Sequence, residues 1–310
     1  MSSAVVFAYH NVGVRCLSVL LAGGVDVRLV VTHEDDPGER IWFSSVRQLC
    51  AERDIPCIAP DNPNTPEIEA RVAAVDADFL FSFYYRHMLK APLLQSARRG
   101  AYNMHGSLLP QYRGRVPVNW AVLRGERETG ATLHQMTVKP DNGPIVDQFA
   151  VPILPDDTAQ EVFQKVTVAA ELCLTRTLPK LIDGTAEHRA QDLTQGAYYG
   201  GRRAEDGRID WQQNARQIHN LVRAVSRPYP GAFSDFPQGR LVLWRTRVID
   251  DQGLRETSGT LANHGHSIDI QPAGGGILRV LEADFCGLPV LAGQSGQGPC
   301  SQPLPAPILD

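Results

Sequence analysis

The sequence lacks the features that would mark a membrane, secreted or zinc-binding protein. No apolar run approaches the roughly 18 residues of a membrane-spanning helix. The first residues show no charged segment followed by an apolar one, so we expect a cytoplasmic protein without membrane insertion. The six cysteines include no C-x-x-C pair and none has zinc-site spacing with histidine. We therefore expect free thiols and no metal.

Clustered basic charge and glycine-rich phosphate loops are also missing. The net charge is −4, and no long run of lysine and arginine is present to neutralise nucleic-acid phosphates. The loop predicted at Tyr9–Gly13 holds one glycine instead of G-x-G-x-x-G, which argues against a nicotinamide-dependent dehydrogenase. No P-loop occurs, and Ala273–Gly276 between strand-like runs favours a hairpin turn over a phosphate site.

Apolar strand-like runs alternate with helical segments through the first part of the chain. Strands are predicted at residues 4–8, 25–31, 56–59 and 79–83, with helices at 14–23, 43–53 and 66–75. This alternation predicts an α/β fold with a Rossmann-like, mostly parallel sheet, whose ligands lie at the carboxyl ends of the strands. Further strands are predicted at 131–138 and 145–151, followed by a long helix at 158–182.

The later part of the chain has a different pattern. The composition changes near residues 184–208, and we interpret residues 198–208 as a linker into a new unit, followed by a helix at 213–225. Short strands at 241–248, 257–262, 266–270 and 277–282 are separated by glycine-rich turns, which predicts a small β-barrel-like (OB-like) domain. We therefore expect a Rossmann-like catalytic domain at 1–195 and the OB-like domain at 196–305.

One polar stretch, residues 101–120, concentrates the groups that could carry chemistry. Asn103 and His105 are two residues apart, so on a strand both side chains point to one face. An amide donor beside an imidazole can stabilise an oxyanion and transfer a proton. We expect these two side chains to face a reacting carbonyl.

Three spaced motifs carry a family resemblance. They are N-x-H-x-S-L-L-P-x-Y-R-G at 103–114, G-A-T-L-H-x-M at 130–136 and D-x-G-x-I-V-x-Q at 141–148. This combination resembles the formyltransferases that use 10-formyltetrahydrofolate. That family includes methionyl-tRNA, glycinamide ribonucleotide and sugar-nucleotide formyltransferases. The similarity covers most of residues 4–235.

Shorter motifs make the resemblance narrower. They are F-A-Y-H at 7–10, T-H-E-D-D-P-G-E at 32–39, A-P-D-N at 59–62, F-S-F-Y-Y-R-H at 81–87 and P-Y-P-G-A-F at 228–233. They are similar to the formyltransferase half of a bifunctional enzyme that formylates UDP-4-amino-4-deoxy-L-arabinose. This resemblance implies a role in lipid A modification and polymyxin resistance. The chain is too short to include the decarboxylase half, so it is either a stand-alone enzyme or one half of a longer protein.

The resemblance implies roles for individual residues. Asn103 would stabilise the oxyanion, His105 would exchange a proton, and Asp141 would favour the imidazolium form of His105. The co-substrate, 10-formyltetrahydrofolate, would contact a set of residues after the fourth strand and around the Asp141 turn: His87, Met88, Leu89, Arg115, Thr137, Val138, Lys139 and Pro140. The transfer itself would need no metal. For His134 we expect only a structural hydrogen bond.

Two departures from the family's pattern fall beside the aspartate. Asn142 stands where the family has a small residue, and Pro144 follows Gly143. Because proline fixes φ and lacks an N–H, we expect a stiffer turn around Asp141.

The identity of the amine is less constrained. The loop His33–Arg40 is short and acidic, which disfavours tRNA and favours a small-molecule nucleotide sugar. A sugar nucleotide needs cations for its diphosphate, and Arg202 and Arg203, beside Tyr198, are candidates. A solvated linker explains these three residues equally well. Methionyl-tRNA, a dTDP- or GDP-linked amino sugar, and a non-catalytic folate-binding role stay open, as does the oligomeric state.

Overall fold

The fold is that of a computed structural model, in which residues 1–38, 41–251, 260–263 and 268–290 are described. The chain forms two compact units. Of the described residues, the first unit comprises those in 1–117, 128–152 and 163–200, and the second comprises those in 118–127, 153–162 and from 201 onwards. The domain boundary predicted between residues 195 and 196 stays a prediction.

A seven-stranded sheet forms the centre of the first unit. Its strands are β1 (Ser3–Ala8), β2 (Asp26–Val31), β3 (Cys57–Ile58), β4 (Phe79–Phe83), β5 (Ala101–His105), β7 (Glu128–Gln135) and β8 (Ile145–Pro152). Their order is β3-β2-β1-β4-β5-β7-β8. Neighbours from β3 to β5 are parallel, whereas β7 and β8 are antiparallel. The predicted Rossmann-like, mostly parallel sheet is confirmed, and the carboxyl ends of β1, β2, β4 and β5 share one edge.

Helices connect these strands. They are α1 (His10–Ala22), α2 (Val46–Glu52), α3 (Pro66–Ala73), α4 (Ala91–Leu94), α5 (Pro117–Arg124) and α6 (Ala159–Asp183). The loop predicted at Tyr9–Gly13 is wrong, because α1 begins at His10 directly after β1. Its N-cap, Tyr9, makes no capping hydrogen bond with its side chain, so the sequence carries no ordinary helix-start signal there. No helix of the described residues is long and apolar enough to cross a membrane.

Apolar burial explains why the sheet is rigid enough to hold a site. Every residue of β1 and β4 is buried, as expected for strands covered on both faces. Phe7 and Leu80 pack with Leu29 and Leu93 in one apolar cluster beneath the strand ends. The polar segments that follow these strands therefore start from fixed positions.

The second unit contains an antiparallel sheet. Its strands are β10 (Ala232–Phe236), β11 (Gly239–Asp250), β12 (Thr260–Asn263), β13 (Ile268–Gln271), β14 (Ile277–Phe285) and β15 (Leu288–Val290), preceded by α7 (Ala215–Val225). The predicted C-terminal domain of short strands is confirmed. The hairpin turn predicted at Ala273–Gly276 joins the antiparallel strands β13 and β14. Residues 257–259 and 266–267 of two predicted strands lie outside the described residues.

A segment after α6 departs from our expectation of a linker. Its last two residues form β9 (Tyr198–Tyr199), which pairs in parallel with β6 (Arg113–Gly114). Arg189 exchanges two backbone hydrogen bonds of 2.8 Å with Ile145 at the start of β8. We call residues 189–199 the strap. The linker interpretation is wrong for Tyr198 and Tyr199, because they pair with β6 in the first unit.

Candidate active site

Strand pairing brings the first group of site residues together. In the antiparallel pair of β5 and β7, Asn103 lies opposite His134. Asn103 Nδ2 is 3.1 Å from His134 Nε2, and His134 Nδ1 is 3.0 Å from the carbonyl oxygen of Gln135. Because that carbonyl can only accept, Nδ1 carries a proton, and Nε2 lies between the Asn103 amide and the Asp141 carboxylate. The second N–H of the Asn103 amide is thus available for another acceptor.

His105 ends β5 and is buried. Its Nε2 lies 2.9 Å from the Tyr112 carbonyl oxygen, so Nε2 donates a hydrogen bond there. Its Nδ1 lies 3.5 Å from Asp141 Oδ1, which is longer than a formed hydrogen bond between charged groups. Catalytic hydrogen bonds are often long before substrate binds. Both ring nitrogens thus face oxygen acceptors.

The Asp141 carboxylate is shared among three partners. Its Oδ2 accepts the Gly114 N–H at 2.7 Å, whereas Oδ1 faces His105 and lies 3.6 Å from His134 Nε2. Burial raises the pKa of Asp141, but the charge of His105, the contacts with His134 and the Gly114 N–H outweigh burial and hold this pKa well below its usual range. The carboxylate is therefore ionised at neutral pH beside the His105 ring.

The turn that carries Asp141 is tightly constrained. Asp141 itself has φ of 55°, a conformation that non-glycine residues seldom adopt. Asn142 Oδ1 accepts a hydrogen bond of 3.1 Å from Arg113 Nη1, and the Pro144 carbonyl accepts one of 2.9 Å from the Gln135 N–H. The two residues that depart from the family's pattern thus join the turn to its neighbours.

Gly143 allows this turn to approach β7, and an alanine there should damage the site. An added Cβ would overlap the Gln135 carbonyl oxygen, so the turn would shift and move Asp141. Because misplacing a catalytic group by about 1 Å can cost about 10²-fold in rate, we expect G143A to lower kcat at least tenfold. The measurement is the steady-state rate of the formyl transfer that the sequence resemblance implies. G200A is the matched control, since no atom lies within 4 Å of a Cβ added at Gly200. Equal rates for the two variants would contradict this account.

The predicted folate-contacting residues after β4 lie in a segment held by its neighbours. The His33 ring stacks on Tyr85, with centroids 4.1 Å apart, and its Nε2 accepts the Arg86 N–H at 3.0 Å. Burial, with the nearby charges of His87 and Arg86, lowers the pKa of His33 to about 4, so this acceptor stays neutral. Asn64 Nδ2 donates to the Met88 carbonyl at 2.9 Å.

The exposure of the predicted folate residues differs. Leu89 is buried in the apolar cluster, whereas His87 and Met88 are exposed. Of the remaining five, Arg115, Thr137, Val138 and Lys139 are exposed, and Pro140 is half-buried. The Thr137 hydroxyl donates to the Lys139 carbonyl at 2.8 Å. The folate-binding role of all eight stays a prediction.

The three predicted substrate residues fall into different surroundings. Tyr198 is exposed and pairs with Arg113 in the first unit. Arg203 is exposed, and its backbone N–H donates to Asp206 Oδ2 at 2.7 Å. The Arg202 guanidinium lies over the Trp120 ring, 5.2 Å from its centroid, and donates to the Asp206 carbonyl at 2.9 Å. Its Nε and Nη1 are buried and have no hydrogen-bond partner among the described residues. Burial lowers the pKa of Arg202.

Two side chains at the site were not predicted to act there. His134 makes the expected structural hydrogen bond, but it also contacts Asn103 and Asp141. Tyr84, with φ of 57°, packs so closely on Gly106 that a Cβ there would overlap its hydroxyl. Gly106 directly follows His105. Alternation in the sequence does place His134 on a strand, but only the register of β5 with β7 shows which residue it faces.

The site offers groups for proton transfer and oxyanion binding. Its donor is an amide, and its titratable groups are two imidazoles and one ionised carboxylate. In the parts of the chain that the structure describes, no group of three or more His, Cys, Asp or Glu side chains is arranged to hold a metal ion. Such a site can stabilise negative charge on a carbonyl oxygen and move a proton beside it.

Comparisons with solved structures agree with this fold. An N-formyltransferase from Helicobacter canadensis, in complex with folinic acid and dTDP-3-aminofucose, matches with a TM-score of 0.72 and 20% identity over 90% of this chain and 99% of that one. WlaRD, a sugar 3N-formyltransferase with dTDP and 5-N-formyl-THF, matches with a TM-score of 0.71 and 18% identity over 90% and 97%. A sugar N-formyltransferase from Shewanella sp. FDAARGOS_354 matches at 0.63 and 16% over 82% and 99%.

Family models decide the assignment. The formyl transferase model matches residues 12–178, which is more than half of the chain and includes Asn103, His105 and Asp141. The model of the formyl transferase C-terminal domain matches residues 202–295. The chain is therefore a member of the formyl transferase family.

Proposed function

We propose that this enzyme transfers the formyl group of 10-formyltetrahydrofolate to the primary amine of a nucleotide-linked amino sugar. The observation that carries the proposal is the cluster of Asn103, His105, His134 and Asp141, which is formed by the pair of β5 and β7 and the turn after β7. Its amide donor and proton-transfer groups match what the reaction needs. The bound folates and the nucleotide sugar of the structurally similar proteins support the choice of donor and acceptor.

The reaction makes one carbon–nitrogen bond and breaks another. The amine nitrogen attacks the formyl carbon, and the carbonyl electrons move to oxygen to form an oxyanion. The amide N–H of Asn103 that is not bonded to His134 donates to this oxygen. When the oxyanion collapses, the bond from carbon to folate N10 breaks, the amine loses a proton and N10 gains one. The products are a formamide and tetrahydrofolate.

His105 and Asp141 handle the protons in this scheme. The imidazolium of His105 gives a proton to the leaving N10, and the neutral ring then takes one from the amine. Asp141 stays ionised throughout, because its pKa lies well below its usual range. The carboxylate therefore stabilises the charged form of His105 without being consumed.

UDP-4-amino-4-deoxy-L-arabinose is the sugar we propose, with lipid A modification and polymyxin resistance as the biological role. The motifs at 7–10, 32–39, 59–62, 81–87 and 228–233 support this choice. The acidic residues of the loop after β2 oppose binding of tRNA phosphates.

The test of substrate identity is a formyl-transfer assay in which tetrahydrofolate release is followed. UDP-4-amino-4-deoxy-L-arabinose, dTDP-3-aminofucose and methionyl-tRNA are offered separately. We expect turnover with the UDP sugar and little with methionyl-tRNA. Preference for the dTDP sugar would support formyl transfer to an amino sugar but would assign the enzyme to a different pathway. Turnover of methionyl-tRNA alone would overturn the proposed acceptor class.

Arg202 is the residue we propose for the diphosphate. Two nitrogens of this half-buried guanidinium, Nε and Nη1, have no partner within the described residues; an anion would stabilise such a group, and a diphosphate supplies one. Since a charged hydrogen bond contributes about 1.5–3 kcal/mol, we expect R202Q to raise the KM for the nucleotide sugar about tenfold or more. The KM for 10-formyltetrahydrofolate should not change. R203Q, at an exposed neighbour, is the matched control and should have the smaller effect. Equal KM values in both variants would argue against Arg202.

A further inference from the structure

The strap contacts both segments that flank the Asp141 carboxylate. Its Ala197 and Tyr199 carbonyls accept the N–H groups of Arg113 and Arg115, at 3.1 and 2.9 Å. Arg113 and Arg115 flank Gly114, whose N–H binds Asp141. On the other side, the strap meets the Asp141 turn itself through the side chain of Gln191.

Gln191 spans the turn. Its Nε2 donates to the Asp141 carbonyl at 2.9 Å and to the Gly143 carbonyl at 2.6 Å. Both partners are acceptors, so this contact requires the amide nitrogen and excludes the flipped amide. The two hydrogen bonds tie Asp141 and Gly143, the neighbours of Asn142, to one side chain. They therefore restrain the backbone of the turn at Asp141.

The surroundings of the other amide atom of Gln191, Oε1, indicate that the role of this side chain lies in its N–H donors. Its Oε1 is buried and has no hydrogen-bond partner among the described residues. A buried acceptor without a partner destabilises a protein, so packing alone does not favour glutamine here. What glutamine adds over an apolar side chain of similar size is the pair of hydrogen bonds to the Asp141 turn.

The turn needs such a restraint because its geometry is uncommon. Asp141 has φ of 55°, and this conformation brings Oδ2 to the Gly114 N–H while Oδ1 faces His105 and His134. Arg113 holds the same turn from another side through Asn142. Loss of the Gln191 hydrogen bonds would let the Asp141 backbone relax toward commoner angles and carry the carboxylate away from the two rings.

We propose that Gln191 is a positioning residue that acts through Asp141, by holding the turn so that the carboxylate faces His105. The kinetic test of this proposal rests on the proposed function, because it measures formyl transfer. Gln191 contacts backbone atoms of the turn, and within the described residues it makes no hydrogen bond with His105.

A double-mutant cycle tests whether Gln191 acts through Asp141. We expect Q191L to lower kcat about tenfold or more, with the KM for each substrate changed less than about twofold, as for loss of an interaction that matters in the transition state. In a D141N background the same substitution should change kcat less than about threefold, because its target is already lost. Equal losses in both backgrounds would overturn the proposal, as would a normal kcat for Q191L.

Two further variants separate positioning from general stability. Q195L makes the same substitution four residues along the strap, where the Gln195 side chain bonds only Asp192 among the described residues, and we expect normal kcat. Q191E keeps the shape but can donate only when its carboxyl is protonated. Its kcat relative to wild type should therefore rise as the pH falls. A pH-independent ratio, or the same loss in Q195L, would contradict the positioning role.

A measurement without turnover keeps this inference distinct from the proposed function. In ¹³C NMR of protein labelled at aspartate carboxyls, the resonance lost in D141N belongs to Asp141. The groups facing its carboxylate are His105, His134 and the Gly114 N–H, and their contacts should weaken in Q191L, so the pKa of Asp141 should rise toward its usual range. An unchanged titration in Q191L would refute the positioning role. The wild-type enzyme could show no turnover while the Asp141 titration is still shifted in Q191L. That result would refute the proposed function and leave the positioning role of Gln191 intact.

Discussion

Replacing His105 by alanine is expected to lower kcat by about 10²–10⁴-fold, the contribution usual for a positioned acid–base group. His105 is the last residue of β5, and its ring lies between the Tyr112 carbonyl and Asp141. Its loss removes the group that exchanges protons with the amine and with folate N10. The measurement is kcat at saturating concentrations of both substrates.

The control for His105→Ala is the same substitution at an exposed histidine. His188 bonds the Tyr102 hydroxyl at 3.1 Å and lies outside the cluster, so H188A should keep most of its kcat. Comparable losses in the two variants would mean that any histidine deletion disturbs the fold. A normal kcat for H105A would remove His105 from the mechanism.

Replacing Asn103 by leucine should lower kcat by about 10²–10³-fold, the usual effect of removing one oxyanion-stabilising donor. Leucine is close in size to asparagine and lacks its amide, so the buried strand should tolerate the change. Because the oxyanion exists only in the transition state, the KM for both substrates should change little. Pre-steady-state and steady-state rates on the proposed UDP sugar measure the effect.

The alternative role for Asn103 predicts a different pattern. If the amide only orients His134, to which it is hydrogen-bonded at 3.1 Å, then N103L and H134L should give similar losses, and the double variant should be no worse than either. If Asn103 binds the oxyanion, N103L should be the more damaging single change. A raised KM with unchanged kcat would contradict both roles.

Much of the fold follows from local pattern, and the exceptions have physical causes. The strand at Phe79–Phe83 was predicted with its bounds, because a short apolar run between polar segments is typical of a buried strand. The start of α1 was missed because Tyr9 provides no side-chain cap and His10 has φ of 65°, neither of which a sequence signal reveals.

Local pattern also predicts part of the site. The face shared by Asn103 and His105 depends on strand alternation alone, whereas the approach of Asp141 to His105 depends on how β7 and its following turn pair with β5. The contact of His134 with Asn103 needs that long-range register as well. No local pattern in the sequence around Gln191 indicates that its side chain reaches the Asp141 turn.

In the proposed reaction, the cluster around His105 passes a formyl group from folate to a sugar amine. The most direct test follows the carbon itself. 10-Formyltetrahydrofolate labelled with ¹³C in the formyl group is incubated with UDP-4-amino-4-deoxy-L-arabinose and either wild type or H105A, and ¹³C NMR locates the label. We predict a formamide carbon on the sugar amine with wild type and an unmoved label with H105A. Label that stays on folate with wild type, that is released as formate, or that moves equally fast with H105A would contradict the account.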